Sequence, residues 1–218
     1  MVFALALMIA APRFAEPPKE PLNVAFVVSE DANVMDMAGP WEVFQDTMLY
    51  PKGEMVMPFR LYTVSETRAP IHMSGGLLVT PDYTFDDAPP PSIVVIGAQS
   101  GKPQKMIDWL TARTRQSEVV MSVCTGAFKL ALTGALKGKK ATTHHDFFDK
   151  FQKANPEVLL QRGKRFVQSD AKVFTAGGLT SGIDLALHVV DLFFGREVAA
   201  ATAKEMEYEG TGWLRDEG

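Results

Sequence analysis

Short apolar runs rich in β-branched residues recur along this chain, each followed by a glycine turn or by residues at helical spacing. Residues 22–29 (LNVAFVVS), 92–97 (SIVVIG), 118–123 (EVVMSV) and 173–176 (VFTA) are mostly apolar throughout rather than alternating. That is the pattern of strands buried on both faces, as in a parallel sheet. Further strands are expected at residues 59–64, 77–80 and 166–168. Met37, Trp41, Phe44 and Met48 fall at helical spacing, so a helix is expected over residues 37–49. Others are expected at 103–115, 126–136, 145–154, 180–194 and 197–209. Strands alternating with helices imply an α/β domain whose sheet is mostly parallel and covered by helices on both faces. With 218 residues, a single domain buries roughly 70% of its unfolded surface and needs no covalent staple. A hydrophobic share of 46% excludes a disordered chain. The net charge of −4 and the lack of a basic stripe argue against nucleic acid as a partner. One cysteine, Cys124, excludes an internal disulfide and a multi-cysteine metal site.

The N-terminus differs from the rest. Residues 2–11 (VFALALMIAA) form an unbroken apolar run, too short to span a bilayer, which takes ~20 residues. The run matches the core of a secretory signal, although only the α-amino group precedes it as positive charge. The other reading is an apolar arm that packs on the domain or on a second subunit. Residues 16–21 (EPPKEP) read as an extended linker, because each proline restricts its predecessor to extended geometry. Residues 1–21 are thus expected to be a signal-like or flexible segment, and residues 22–218 one domain. If residues 1–15 act as a signal, the protein is periplasmic or exported; otherwise it is cytoplasmic. No stable membrane insertion is expected.

In a parallel sheet, ligands bind in the crevice at the carboxyl ends of the strands. The residues just after strands therefore carry the chemistry: Asp36 and its neighbours, residues 97–101, 124–126 and 177–182. Ser122-Val123-Cys124-Thr125-Gly126 lies between an apolar strand and an apolar helix, the context of a nucleophile elbow. Such a turn is crowded and needs small neighbours, which Ser122 and Gly126 provide. It places the sulfur at a helix N-terminus, where free N–H groups favour thiolate and lower the pKa. The Thr125 N–H is a candidate donor to an anion forming on substrate, as are N–H groups of Gly97 and Ala98. Asp36 also fits a helix N-cap, and Glu42, further along the same helix, is the reserve acid. On a strand His144 and His145 would point oppositely, and no third ligand lies nearby, so no metal site is expected.

The segments SVCTGAFKLALTGALKGKKATTHH (122–145), VMDMAGPWEVF (34–44) and TAGGLTSGIDLAL (175–187) resemble the PfpI/ThiJ superfamily, cysteine-containing relatives of class I glutamine amidotransferase domains. The combination of Asp–x–x–Gly–Pro–x–Glu–Val with Cys-Thr-Gly is similar to the isonitrile hydratase branch and to sensor domains of AraC-like regulators. The resemblance implies a flavodoxin-like, doubly wound sheet with a nucleophile elbow, a homodimer and no cofactor. It implies a hydratase in which Cys124 attacks a small electrophile and Asp36 supplies the proton and positions water, giving a formamide from an isonitrile. His144 stands where the superfamily often has a histidine near the sulfur. Two departures stand out: Ile96-Gly97-Ala98 replaces the usual Pro-Gly-Gly, and Thr142-Thr143-His144-His145 replaces Thr-Thr-His-Trp. The alternatives are a non-enzymatic ligand or redox sensor of the same fold, and a glyoxalase-like or deglycase-like activity on reactive carbonyls. A regulator of this kind would need a helix-turn-helix domain after residue 218.

Overall fold

The structure is a computed structural model and describes residues 12–214. Its elements run β1 (Leu22–Val27), α1 (Val34–Gln45), β2 (Phe59–Ser65), β3 (Ile71–His72), β4 (Leu78–Val79), β5 (Tyr83–Thr84) and β6 (Ile93–Ile96). Then come α2 (Gln104–Gln116), β7 (Val119–Ser122), α3 (Gly126–Leu132), β8 (Lys140–Ala141), α4 (Phe148–Ala154) and β9 (Leu159–Leu160). The last elements are β10 (Phe166–Gln168), β11 (Val173–Ala176), α5 (Ser181–Phe194) and α6 (Arg196–Glu205).

Seven strands form the main sheet in the order β10-β11-β7-β6-β1-β2-β5, parallel except for β10, which runs against β11. The expected mostly parallel α/β architecture is present. The successive side chains of a strand point to opposite faces, and here each face meets its own core. Val24 and Phe26 of β1, Ile93 and Val95 of β6, and Val119 and Met121 of β7 pack with α1, α5 and α6. Ala25, Val27, Val94, Ile96 and Val120 pack with α2, α3 and α4 on the other side. Chain order reverses between β1 and β6, which pair directly, Val27 opposite Ile96. The crevice beyond that pair is the switch point where such sheets take ligands.

Several boundaries differ from expectation. Helix α1 starts at Val34 rather than 37, because Asn33 and not Asp36 is its cap: Asn33 Oδ1 accepts from the N–H groups of Met35 (3.0 Å) and Asp36 (3.1 Å). It ends at Gln45, where Asp46 is the C-cap and its N–H donates to the Glu42 carbonyl at 2.8 Å. The expected strand at 77–80 is only a two-residue pairing with Ile71–His72 outside the main sheet. The edge of the sheet is instead β5, paired with β2.

The apolar run 2–11, expected as an export signal or packing arm, lies outside the described residues. The residues that follow it dock on α5. The N–H groups of Arg13 and Phe14 donate to the carbonyls of Leu192 and Phe193, each at 2.9 Å, and the Phe14 ring lies 5.4 Å from that of Phe193. Residues 16–21 hold no helix or strand. Among the described residues, no helix is long and apolar enough to cross a membrane.

Candidate active site

Cys124 leaves β7 in the left-handed region, at φ 58°. A non-glycine residue there is strained by about 1–3 kcal/mol and persists only where its surroundings fix it. They do so on three sides. The Cys124 N–H donates to the Gly177 carbonyl (2.7 Å), the Val123 N–H to the Ile96 carbonyl (3.0 Å), and the Thr143 hydroxyl to the Cys124 carbonyl (2.9 Å). A side chain at Gly126 would place its Cβ 2.1 Å from the Ile96 carbonyl oxygen, so only glycine lets α3 start this close to β6. The elbow read from SVCTG is thus built by contact with the neighbouring strand.

Asp36 lies opposite, in the first turn of α1, and has no exposed surface. The Ala98 N–H donates to its Oδ2 at 2.8 Å, and the Ala98 carbonyl accepts from the Asn33 N–H, tying the β6 turn to the start of α1. Gly97 is glycine because a Cβ there would come 2.6 Å from the Asp36 Cβ. The Ala98 N–H is therefore committed to the carboxyl group, which corrects its expected role as a donor to substrate. Asp36 Oδ1 makes no hydrogen bond of ordinary length and angle among the described residues, although the Leu179 N–H and the Cys124 thiol face the carboxyl group. Burial pushes the Asp36 pKa up; the N–H groups of Ala98 and Leu179, the Cys124 thiol and His144 act against that rise.

The thiol departs from expectation. Burial, reinforced by the Asp36 charge, pushes the Cys124 pKa up to about 12, while the Thr125 N–H and hydroxyl pull it down. The expected lowering relied on a helix N-terminus, but α3 has seven residues and Cys124 is 7% exposed. Desolvation wins over so short a dipole. With both pKa values raised, Cys124 and Asp36 act as a coupled pair, and neither can lose its proton without regard to the other.

The remaining candidates divide. Thr125 stands at the start of α3 beside the sulfur. His144 packs against Gly178 and lies within electrostatic range of Asp36. It does not continue a strand. After Thr143 the chain turns into a short 3-10 helix, with His144 Nδ1 accepting from the Asp146 N–H (3.3 Å). The His144 and His145 rings consequently stack, with centroids 4.3 Å apart, instead of pointing oppositely. Together with Asp146 they bring three ligand-type atoms within 4.8 Å of one another, which corrects the reasoning against a third ligand nearby. Glu42 is exposed on α1 and is not brought to the crevice. Thr180 does not cap α5 with its side chain; its hydroxyl accepts from Arg165.

Three features escaped the sequence reading. Leu179 takes a left-handed conformation at φ 52° and turns its N–H to Asp36. Gln99 is buried, with its amide on the Val27 carbonyl and its side-chain oxygen accepting from Ser29. Lys129 of α3 is also buried and donates to the Gln99 carbonyl at 2.6 Å. A lysine one turn into an apolar helix reads as surface, and nothing local distinguishes it.

Cys124, on a strand–helix elbow, thus faces the buried carboxyl group of Asp36 at the crevice end of a mostly parallel sheet. The chain belongs to the DJ-1/PfpI family, which matches residues 22–192. It is 27% identical over 192 residues to the isonitrile hydratase of Pseudomonas putida, covering 86% of this chain and 78% of that protein. It is 28% identical over 203 residues to the HTH-type transcriptional regulator GbdR of Pseudomonas aeruginosa, covering 91% of this chain. The chain spans about half of that regulator's length, 54%. Among solved structures, a ThiJ/PfpI family protein from Pseudomonas syringae superposes with a TM-score of 0.74 at 22% identity, over 95% of this chain and 85% of the other.

Proposed function

We propose that the protein hydrates a small isonitrile to an N-substituted formamide, with Cys124 as nucleophile and Asp36 as proton carrier. The observation that carries this reading is the fully buried Asp36 carboxyl group facing the Cys124 thiol, with Oδ2 held by Ala98 and Oδ1 without a hydrogen bond of ordinary length and angle. An unpaired buried carboxyl oxygen costs free energy, and a structural acid would not leave it so. A reacting proton gives it a use.

The chemistry follows from the coupled pair. In the resting pair Asp36 is the carboxylate and Cys124 the thiol. As Sγ bonds to the terminal carbon of R–N≡C, the thiol proton passes to Asp36 and from there to that carbon, giving the thioimidate R–N=CH–S–Cys124. Water then adds to the same carbon. Asp36 takes a water proton and returns it to nitrogen, forming R–NH–CH(OH)–S–Cys124. Cleavage of the C–S bond expels the sulfur, the hydroxyl proton returns to it through Asp36, and R–NH–CHO leaves. The Thr125 N–H stabilises the sulfur whenever it carries negative charge. A thiol near 12 suits this sequence, because attack and proton transfer are then one event and no free thiolate accumulates.

The test is formamide production from a panel of simple isonitriles. Turnover by the native chain and its loss in Cys124→Ala are expected; activity surviving Cys124→Ala would defeat the reading. The similarity to GbdR favours a ligand-sensing role as second reading. A redox sensor is disfavoured on physical grounds, since a buried, protonated thiol reacts poorly with oxidants. The proposal includes a homodimer, for which light scattering should give about twice the 23.9 kDa chain mass. It also includes export by residues 1–15, for which N-terminal sequencing from the native host should find a shortened chain.

A further inference from the structure

Beside the elbow lies a cavity of about 190 Å³ lined by Thr125, Phe128, Lys129, Phe147 and Lys150. Thr125, Phe128 and Lys129 share one face of α3, spaced three and four residues apart. Phe147 and Lys150 come from the start of α4 and the turn before it. Thr125 belongs to both places, since it touches the Cys124 sulfur and also forms the cavity wall. Two lysines line it, and neither forms an ion pair with an acid among the described residues. Lys129, 8% exposed, donates to the neutral Gln99 carbonyl, and Lys150 lies over the Phe147 ring at 5.8 Å. A cation is seldom this buried without an anion. Burial alone pulls the Lys129 pKa down, with no acid opposing it.

We infer that this cavity is a subsite for a carboxylate on the substrate's side group, with Lys129 and Lys150 as its charge partners and Phe128 and Phe147 as its apolar walls. The geometry makes the preferred substrate a short isonitrile ending in a carboxylate, seated with its isonitrile carbon toward Cys124. The substrate class rests on the hydratase reading; the anion subsite rests on the cavity and its cations alone.

The experiment has two arms. In the first, KM is compared for isocyanoacetate and its uncharged methyl ester, in the native chain and in Lys150→Gln. The native chain is expected to favour the carboxylate, and the ratio of the two KM values to fall about tenfold in Lys150→Gln, as for loss of one charge-assisted hydrogen bond. Lys150 is exposed on α4, so this variant is expected to fold. In the second arm, N-formylglycinate is titrated against the native chain, Lys150→Gln and Lys129→Met by calorimetry, which needs no turnover. Binding that weakens in both variants supports the subsite even if no isonitrile is hydrated, in which case only the hydratase reading fails. Equal KM for acid and ester together with no N-formylglycinate binding would overturn the subsite and leave the hydratase reading intact.

Discussion

Two carboxylates sit in the first turn of a helix and are closed off from solvent, Asp36 in α1 at 0% exposure and Asp184 in α5 at 1%. Their surroundings are opposite. Asp184 Oδ2 accepts from Arg165, with Nε at 2.7 Å, while Oδ1 accepts from the Trp213 N–H at 3.0 Å and the Tyr208 hydroxyl at 3.2 Å. Both oxygens are used, and the segment after α6 is pinned to α5. Asp36 has one hydrogen bond of ordinary geometry, from Ala98, and its other oxygen meets only the longer approach of the Leu179 N–H and the Cys124 thiol. A buried acid with all its partners holds a fold together; one kept short of partners has an oxygen available for chemistry, at a cost in stability.

That contrast breaks first on rate. Asp36→Asn keeps an acceptor for the Ala98 N–H but cannot carry a proton, and formamide production is expected to drop by ~10²–10⁴. Asp184→Asn should change the rate per folded molecule by less than tenfold. Equal losses in the two variants would show that Asp36 is merely structural.

Stability should reverse the order. Asp184→Asn leaves the Arg165 guanidinium without its carboxylate, and Arg165 is 37% exposed, so a loss of about 3 kcal/mol is expected, at the low end for a buried pair. That corresponds to roughly 6–12 °C in Tm for a chain of this size. Asp36→Asn should instead raise Tm near neutral pH. The folded-state pKa of Asp36 lies above its unfolded value, so the folded state holds the proton more tightly. Wild-type stability from this group is therefore present in acid and lost as pH rises from the ordinary carboxylate range through the folded pKa. The Tm advantage of Asp36→Asn should grow from pH 4 to pH 8; a constant or shrinking advantage would contradict a raised pKa.

Most of what positions Asp36 was legible in the sequence, and little of what holds Asp184 was. Apolar runs at residues 22–29, 92–97 and 118–123 mark the central strands, because a strand buried on both faces has no polar alternative. Small residues around Cys124 mark the elbow, because the backbone there touches β6. Asn33-Val34-Met35-Asp36 also carried the true start of α1, an Asn cap with an acid three residues on, had it been read as a capping pattern. His144 and His145 misled because alternation presumes a strand, whereas the chain turns into a 3-10 helix after Thr143. Arg165, Asp184, Tyr208 and Trp213 come from four separate stretches, and Lys129 of α3 meets Gln99 in the turn after β6. Contacts of that range have no local spacing to betray them.

The smallest effect tests the comparison at its finest grain. Tyr208→Phe removes one neutral donor from Asp184 and leaves Arg165 and the Trp213 N–H in place. The net contribution of one such hydrogen bond is about 0.5–1.5 kcal/mol. Tm should fall by roughly 1–6 °C, with isonitrile turnover unchanged below the transition. Asp184 Oδ1 keeps the Trp213 N–H, so the loss stays within that of a single bond. If the Asp184 cluster acted instead as one cooperative unit, Tyr208→Phe would cost nearly as much as Asp184→Asn, and a double-mutant cycle between them would show strong coupling. The expected additive outcome places the weight of the cluster on the Arg165 pair, and the contrast with Asp36 then rests on charge partnering rather than on the number of hydrogen bonds.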